Sequence, residues 1–373
     1  TPEDAVIAVH DVGMMRYIGE RNTLDIVGLT TPESAQYWRN GVGSVAEFLL
    51  DHQPDYIASY GRGHGYGLYM LADTRLYANP LVEYRVDLDL RTNVALAADT
   101  QAIYHPDWES ILTNTDSDDV LLDVNVANIE SENRASYHWK NETLVDGFAT
   151  VVYDFDLIGC DISHSQSCDV IEGARQFTGK EQFTVDLSDH ELSDYVILQT
   201  KVHPLHSINL EIYVDDNLID TQWVPQNRGH WLDIQTRIPS DVLYSNAKIQ
   251  IVPILDEGEV YTPAHHQLIV DRNDSSKQPV TNIASYQDGH ATLTDFEILQ
   301  TKTEIEINLS WYSDGETRGD YRFFVHLYDD INQPPVTQWD NYLGNSTLPL
   351  GNWLDGIRQD TINLNIESLV DGK

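Results

Sequence analysis

Near its start the chain carries two short apolar runs, Val6-Ile7-Ala8-Val9 and Leu24-Asp25-Ile26-Val27, each reaching a polar residue and a glycine within a few positions. Runs of this kind predict strands buried on both faces, the form taken in parallel sheets. Between residues 32 and 50, apolar Tyr37, Val45, Phe48 and Leu49 recur at helical spacing. Thr31 is placed to cap that helix, and Pro32 to occupy its first position. A third strand is read over residues 55–60, before the glycine-rich stretch 61–67. Strand, helix and strand together predict a small α/β domain with a mainly parallel sheet over residues 1–113.

The texture changes after the polar, acidic run 113–119. Short alternating segments follow at 120–126, 150–156, 182–187, 195–201, 208–214, 230–238 and 248–252, divided by turn-forming clusters. Alternation of period two with such turns predicts an antiparallel β-sandwich, here over 118–272 and of the jelly-roll, galactose-binding-like kind. Residues 209–217 read as an edge hairpin within it. Beyond a second polar linker at 271–279, alternation returns at 291–300, 304–312 and 321–328, which predicts a C-terminal immunoglobulin-like sandwich over 280–373.

The order His10-Asp11-x-Gly13, Tyr17, Leu24 to Leu29, Thr31-Pro32-Glu33 and Pro54 to Ile57 resembles the extracytoplasmic C-terminal region of bacterial polyprenyl-phosphate-sugar-dependent membrane glycosyltransferases. These are the relatives of the protein O-mannosyltransferases and the aminoarabinose transferase. The segments around Trp311, residues 320–327, Trp339 and Trp353 resemble a β domain appended to envelope proteins of filamentous green bacteria. In that family further strands follow the point where this chain stops, which implies a last domain that is either incomplete or closed differently. The first resemblance implies a non-catalytic, extracytoplasmic region that recognises an acceptor, a glycan or a polyprenyl-linked sugar, beside a transmembrane region preceding Thr1. The alternatives are a carbohydrate-binding or adhesion protein of the envelope, and a free-standing hydrolase with its site in the α/β domain.

Charge narrows the choice of partner. With 60 acidic residues against 22 Lys plus Arg, the formal net charge is −38, so a nucleic-acid backbone is repelled and no nucleic-acid partner is expected. No run reaches the roughly 18–20 apolar residues that span a bilayer. Cys160 and Cys168 are the two cysteines, and their closeness suits a disulfide in an oxidising compartment.

The candidate ligand-binding residues come from strand ends and loops. His10, Asp11 and Asp25, with Arg21, stand where ligands of open α/β sheets bind, beyond the carboxyl ends of strands. Arg62 and His64 sit in the glycine-rich stretch and could meet an anion. Trp339 and Trp353 read as loop aromatics able to stack on sugar rings, whereas Trp311 keeps phase with an apolar face. No nucleophile-elbow, zinc-protease or calcium-loop motif is present, so no catalytic residue, metal or cofactor is assigned.

Overall fold

In the N-terminal unit, β1 (Val6–Val9) leads into α1 (Val12–Tyr17), β2 (Asn22–Asp25), α2 (Ser34–Asn40), α3 (Val42–His52), β3 (Tyr56–Tyr60), β4 (Pro80–Arg85) and β5 (Thr100–Tyr104). The computed structural model describes residues 2–60, 80–85, 100–106, 108, 119–141, 149–154, 169–188, 190, 192–227, 231–244, 246–271, 281–344 and 346–366. The sheet order is β2-β1-β3-β5-β4. β1 is parallel to β2 and β3, but β5 runs antiparallel to both β3 and β4. The sheet is therefore mixed rather than mainly parallel. Apolar periodicity reports which positions are buried and says nothing of strand direction.

The expected single helix breaks at Gly41, whose φ of 121° and ψ of 176° belong to a region that glycine alone enters cheaply. Beyond the break, Val45, Ala46 and Leu49 of α3 pack with Ala8, Ile57, Ala102 and Tyr104 on one sheet face. The six residues of α1 cover part of the other face, where Val12 and Met15 meet Ile7, Val9, Tyr56 and Ala58. No helix among the described residues is long and apolar enough to cross a membrane.

The central unit contains β6 (Val120–Asn125), α4 (Ile129–Arg134), β7 (His138–Trp139), β8 (Ala149–Asp154), β9 (Asp169–Arg175), β10 (Glu181–Val185), β11 (Tyr195–Val202) and β12 (Ile208–Val214). It continues through β13 (Asn217–Val224), β14 (Leu232–Pro239), β15 (Ala247–Ile254) and β16 (Pro263–Val270). Two antiparallel sheets, β13-β12-β15-β10-β7 and β14-β11-β16-β6, share one apolar core that includes Leu198, Leu210, Ile234, Ile249 and Leu268. The hairpin of β12 and β13 lies at a sheet edge, turning through Asp215 and Asp216 at φ 47° and 65°.

Strand β16 escapes the alternation count because His266, an inward position, is polar. It is buried against Glu181, which is itself fully enclosed. Glu181 accepts hydrogen bonds from Tyr137 Oη at 2.7 Å and Tyr261 Oη at 2.8 Å, and lies 3.0 Å from His266 Nε2. Phe183 stacks on the imidazole at 5.2 Å. A buried carboxylate is tolerable only with this degree of satisfaction.

The C-terminal unit comprises β17 (Ala284–Tyr286), β18 (Ala291–Gln300), β19 (Glu304–Ser313), β20 (Phe323–Leu327), β21 (Thr337–Asn341) and β22 (Gly356–Asn365). A sheet β17-β18-β19-β22 faces the two-stranded ribbon β20-β21 across a core containing Trp311, Leu350, Trp353, Ile362 and Leu364.

Polar contacts lock the three units together. Ser44, Glu47 and Asp51 form a stripe along one face of α3. Ser44 Oγ donates to Ala127 O, Glu47 accepts from Asn125 Nδ2 at 2.7 Å and Gly173 N at 2.8 Å, and Asp51 accepts from Asn128 Nδ2 at 2.7 Å. Gly173 permits this approach, since a Cβ there would stand 2.6 Å from Ala127 Cβ. Beside it Arg175, 1% exposed, donates to Glu132, to Asn40 Oδ1 at 3.1 Å and to Val126 O at 3.2 Å. On the other side Arg237 binds Asp271 at 2.6 Å and also Asp355, while Thr347 Oγ1 donates to Asp233 at 2.6 Å.

Candidate functional site

Because α1 is so short, the β5 and β4 side of its sheet face is left open. Register places Ala58 beside Ile103 and Ile103 beside Val82, with Gln101 directly opposite Tyr84 in the next row. Residues paired across an antiparallel ladder share a face. Ala58, Ile103 and Gln101 line the floor of a cleft of about 210 Å³, with Tyr84 at its rim and Met15, His10 and Asp11 beside it.

The lining is amphipathic. Gln101 Nε2 is buried and has no hydrogen-bond partner among the described residues, although a buried amide donor is normally satisfied. Tyr84, 63% exposed, offers its ring to solvent across from it. His10 Nδ1 lies 3.2 Å from Asp11 Oδ1, and the imidazole packs 5.6 Å from the Trp38 ring. A bond to the carboxylate places the neutral ring's proton on Nδ1, making Nε2 the acceptor. Ser59 also lines the cleft, but alternation along β3 sends its side chain to the α3 face with Ile57.

The strand-end residues named above separate. His10 and Asp11 share the cleft. Arg21 does not, because Asn22 pairs with Val6 while His10 follows Val9. At about 3.3 Å per residue, this puts Arg21 roughly 15 Å away at the opposite sheet edge.

Asp25 turns into its own loop. Its carboxylate accepts from Thr30 N at 2.6 Å, Val27 N at 3.0 Å and Gly28 N at 3.1 Å. Burial pushes its carboxyl up, but these backbone donors outweigh burial and hold it below the ordinary carboxylate value. A depressed folded value stabilises fully above the unfolded pKa of about 3.9, and the gain fades as pH falls through the folded value. Asp25→Asn is therefore expected to cost about 1–2 kcal/mol at pH 7. Urea midpoints measured at pH 7 and again below pH 3 should show the gap between variant and parent closing in acid.

The two tryptophans face inward. Trp353 does follow a short turn, yet it is 3% exposed, stacked on Phe323 at 5.9 Å with the Arg358 guanidinium 4.6 Å away. Trp339 belongs to β21 and packs on the same core. Neither is a loop platform, since both fill space that the two-stranded ribbon cannot cover alone. Arg62, His64, Cys160 and Cys168 lie outside the described residues. Among the described residues no group of three or more His, Cys, Asp or Glu could hold a metal.

Gln101 and Tyr84, the residues that give the cleft its character, carry no motif. Tyr84's place in the alternating stretch 81–90 is the one signal that could have marked it.

Residues 1–122, which include the cleft, match a family model described as a domain of unknown function (DUF8728). No curated protein matches the chain. Among solved structures, a family 35 carbohydrate binding module from Clostridium thermocellum is 12% identical, with 33% of this chain and 98% of that one covered, at a TM-score of 0.21. A tandem of two CBM22 domains from Paenibacillus barcinonensis is 11% identical over 68% of this chain and 87% of that one, at 0.23. A CBM51 from Clostridium perfringens, in complex with methyl-galactose, is 14% identical over 35% and 94%, at 0.21. Scores this low fix neither fold nor ligand for this chain.

Proposed function

We propose that this chain is a non-catalytic sugar-recognition region of the cell envelope, and that the cleft beside α1 holds one neutral sugar ring. The observation that carries the reading is the buried Gln101 Nε2, without a hydrogen-bond partner among the described residues, beside the exposed Tyr84 ring. A pyranose has hydroxyls at its edge and C–H groups on its face, so it can satisfy both. At about 210 Å³ the cleft is smaller than the roughly 300–1,000 Å³ of drug-sized sites, which favours a single residue over a longer chain. The strongly acidic protein, with Asp11 at the cleft, disfavours anionic sugars.

A recognition role fits better than hydrolysis because the cleft lining carries a single carboxylate, Asp11, whereas glycoside hydrolysis uses a pair. The setting within a membrane glycosyltransferase, with a polyprenyl-linked sugar as ligand, rests on the resemblance of the first 60 residues alone.

On a glycan array the chain is expected to select glycans by their terminal neutral sugar, and Gln101→Ala or Tyr84→Ala should each weaken binding roughly tenfold, about 1.4 kcal/mol. Turnover of aryl glycosides that disappears in His10→Ala would overturn the reading in favour of a hydrolase.

A further inference from the structure

Alternation along β20 points Phe323, Val325 and Leu327 into the C-terminal core, so Phe324 and His326 stand on the outer face of the ribbon, with Tyr328 just past the strand end. Phe324 is 73% exposed and Tyr328 37% exposed. The rings form a row, with Phe324 5.2 Å from His326 and His326 6.1 Å from Tyr328. Polar groups run beside it. His326 Nε2 lies 2.7 Å from Asp340 Oδ1, and Gln338 Nε2 donates to Asp340 Oδ2 at 3.0 Å. Phe324 pairs with Asp340 and His326 with Gln338 across the ribbon, so carboxylate and amide share the face of the rings.

We propose that this outer face of the β20-β21 ribbon is a second binding site, independent of the cleft, for a single soluble polysaccharide chain. A purely apolar protein partner would leave Asp340 and Gln338 facing carbon, whereas a sugar chain offers C–H faces to the rings and hydroxyls to the polar row at once. A second copy of this chain is disfavoured by charge. Asp329, Asp330 and Asp340 border the row, and each copy carries −38 overall. The ring planes are tilted by 43° and 65° from one to the next. A flat crystalline surface needs coplanar rings, and a lone chain can twist to follow tilted ones.

Affinity electrophoresis of the full chain through gels holding hydroxyethylcellulose, xylan, galactomannan or laminarin tests this, alongside a pull-down on crystalline cellulose. Retardation by at least one soluble polysaccharide is expected, weakened fivefold or more in Phe324→Ala and in Tyr328→Ala and kept in Phe324→Trp. Arg318→Met, at an exposed residue outside both sites, should leave it unchanged, and Phe324→Ala should leave glycan selection by the cleft intact, which separates the two sites. Unchanged denaturation midpoints confirm that the variants fold. The proposal is overturned if none of the four polymers retards the chain, if Phe324→Ala and Tyr328→Ala are both retarded as strongly as the parent, or if the chain binds crystalline cellulose alone. It is also overturned by a concentration-dependent dimer that Phe324→Ala disperses.

Discussion

Replacing Glu181 with alanine is expected to destabilise the central sandwich by about 3–5 kcal/mol, among the largest single-residue losses in the chain. Three donors converge on its carboxylate inside the core: the Tyr137 and Tyr261 hydroxyls and the His266 ring. Burial, and then the Glu181 charge beside them, raise both tyrosines well above their ordinary range, so they remain protonated donors at any ordinary pH. Alanine leaves these groups without an acceptor and opens a cavity as well. Glu181→Gln keeps one acceptor oxygen and the volume, and should cost clearly less than alanine. Chemical denaturation followed by tryptophan fluorescence reads both values. An alanine loss under 1 kcal/mol would mean that the cluster is not the keystone of this core.

Arg175→Met should cost a similar amount, about 3–5 kcal/mol, but the damage should fall at the junction between the first two units. Arg175 is enclosed, sits 5.1 Å over the Trp139 ring and joins Glu132 of α4 to Asn40 of α2. Burial drives the Glu132 carboxyl upward against the pull of Arg175, so losing the guanidinium strands that carboxyl in a poor environment. Lysine would not substitute, because one ammonium cannot reach the partners a planar fork serves at once. Limited proteolysis should cut the N-terminal unit of the variant first while the C-terminal unit stays protected. By contrast Arg318 and Glu316 form an exposed pair, 71% and 66% accessible, and Arg318→Met should stay within about 0.5 kcal/mol.

Strands with one wet and one dry face were legible in the sequence because half-burial forces a period of two. This holds for β10, β12 and β14. What escaped has physical causes. Inward positions filled by polar groups break the pattern, as His266 does in β16 and as Asp360 does in β22, where it accepts from Gly344 N and Arg358. Strand direction leaves no trace in periodicity, so the antiparallel half of the first sheet was invisible.

The candidate site was half legible. His10 and Asp11 follow from the end of an apolar run, but register alone decides that Arg21 lies at the far edge, and local loop geometry consumes Asp25. Gln101 and Tyr84 become a pair only through the β5-β4 ladder. The tryptophans misled because size drew attention to Trp339 and Trp353, while alternation assigns exposure to Phe324 and Tyr328.

The cleft is tested most directly by titrating isotope-labelled protein with a panel of neutral monosaccharides and following the Gln101 side-chain amide and the Met15 methyl by NMR. A saturating, ligand-dependent shift of both signals with at least one sugar, with the Trp353 indole signal unmoved, is the result expected here. A sugar that binds while leaving Gln101 and Met15 unshifted, or a panel in which no sugar moves them, would contradict the assignment of this cleft as the sugar site.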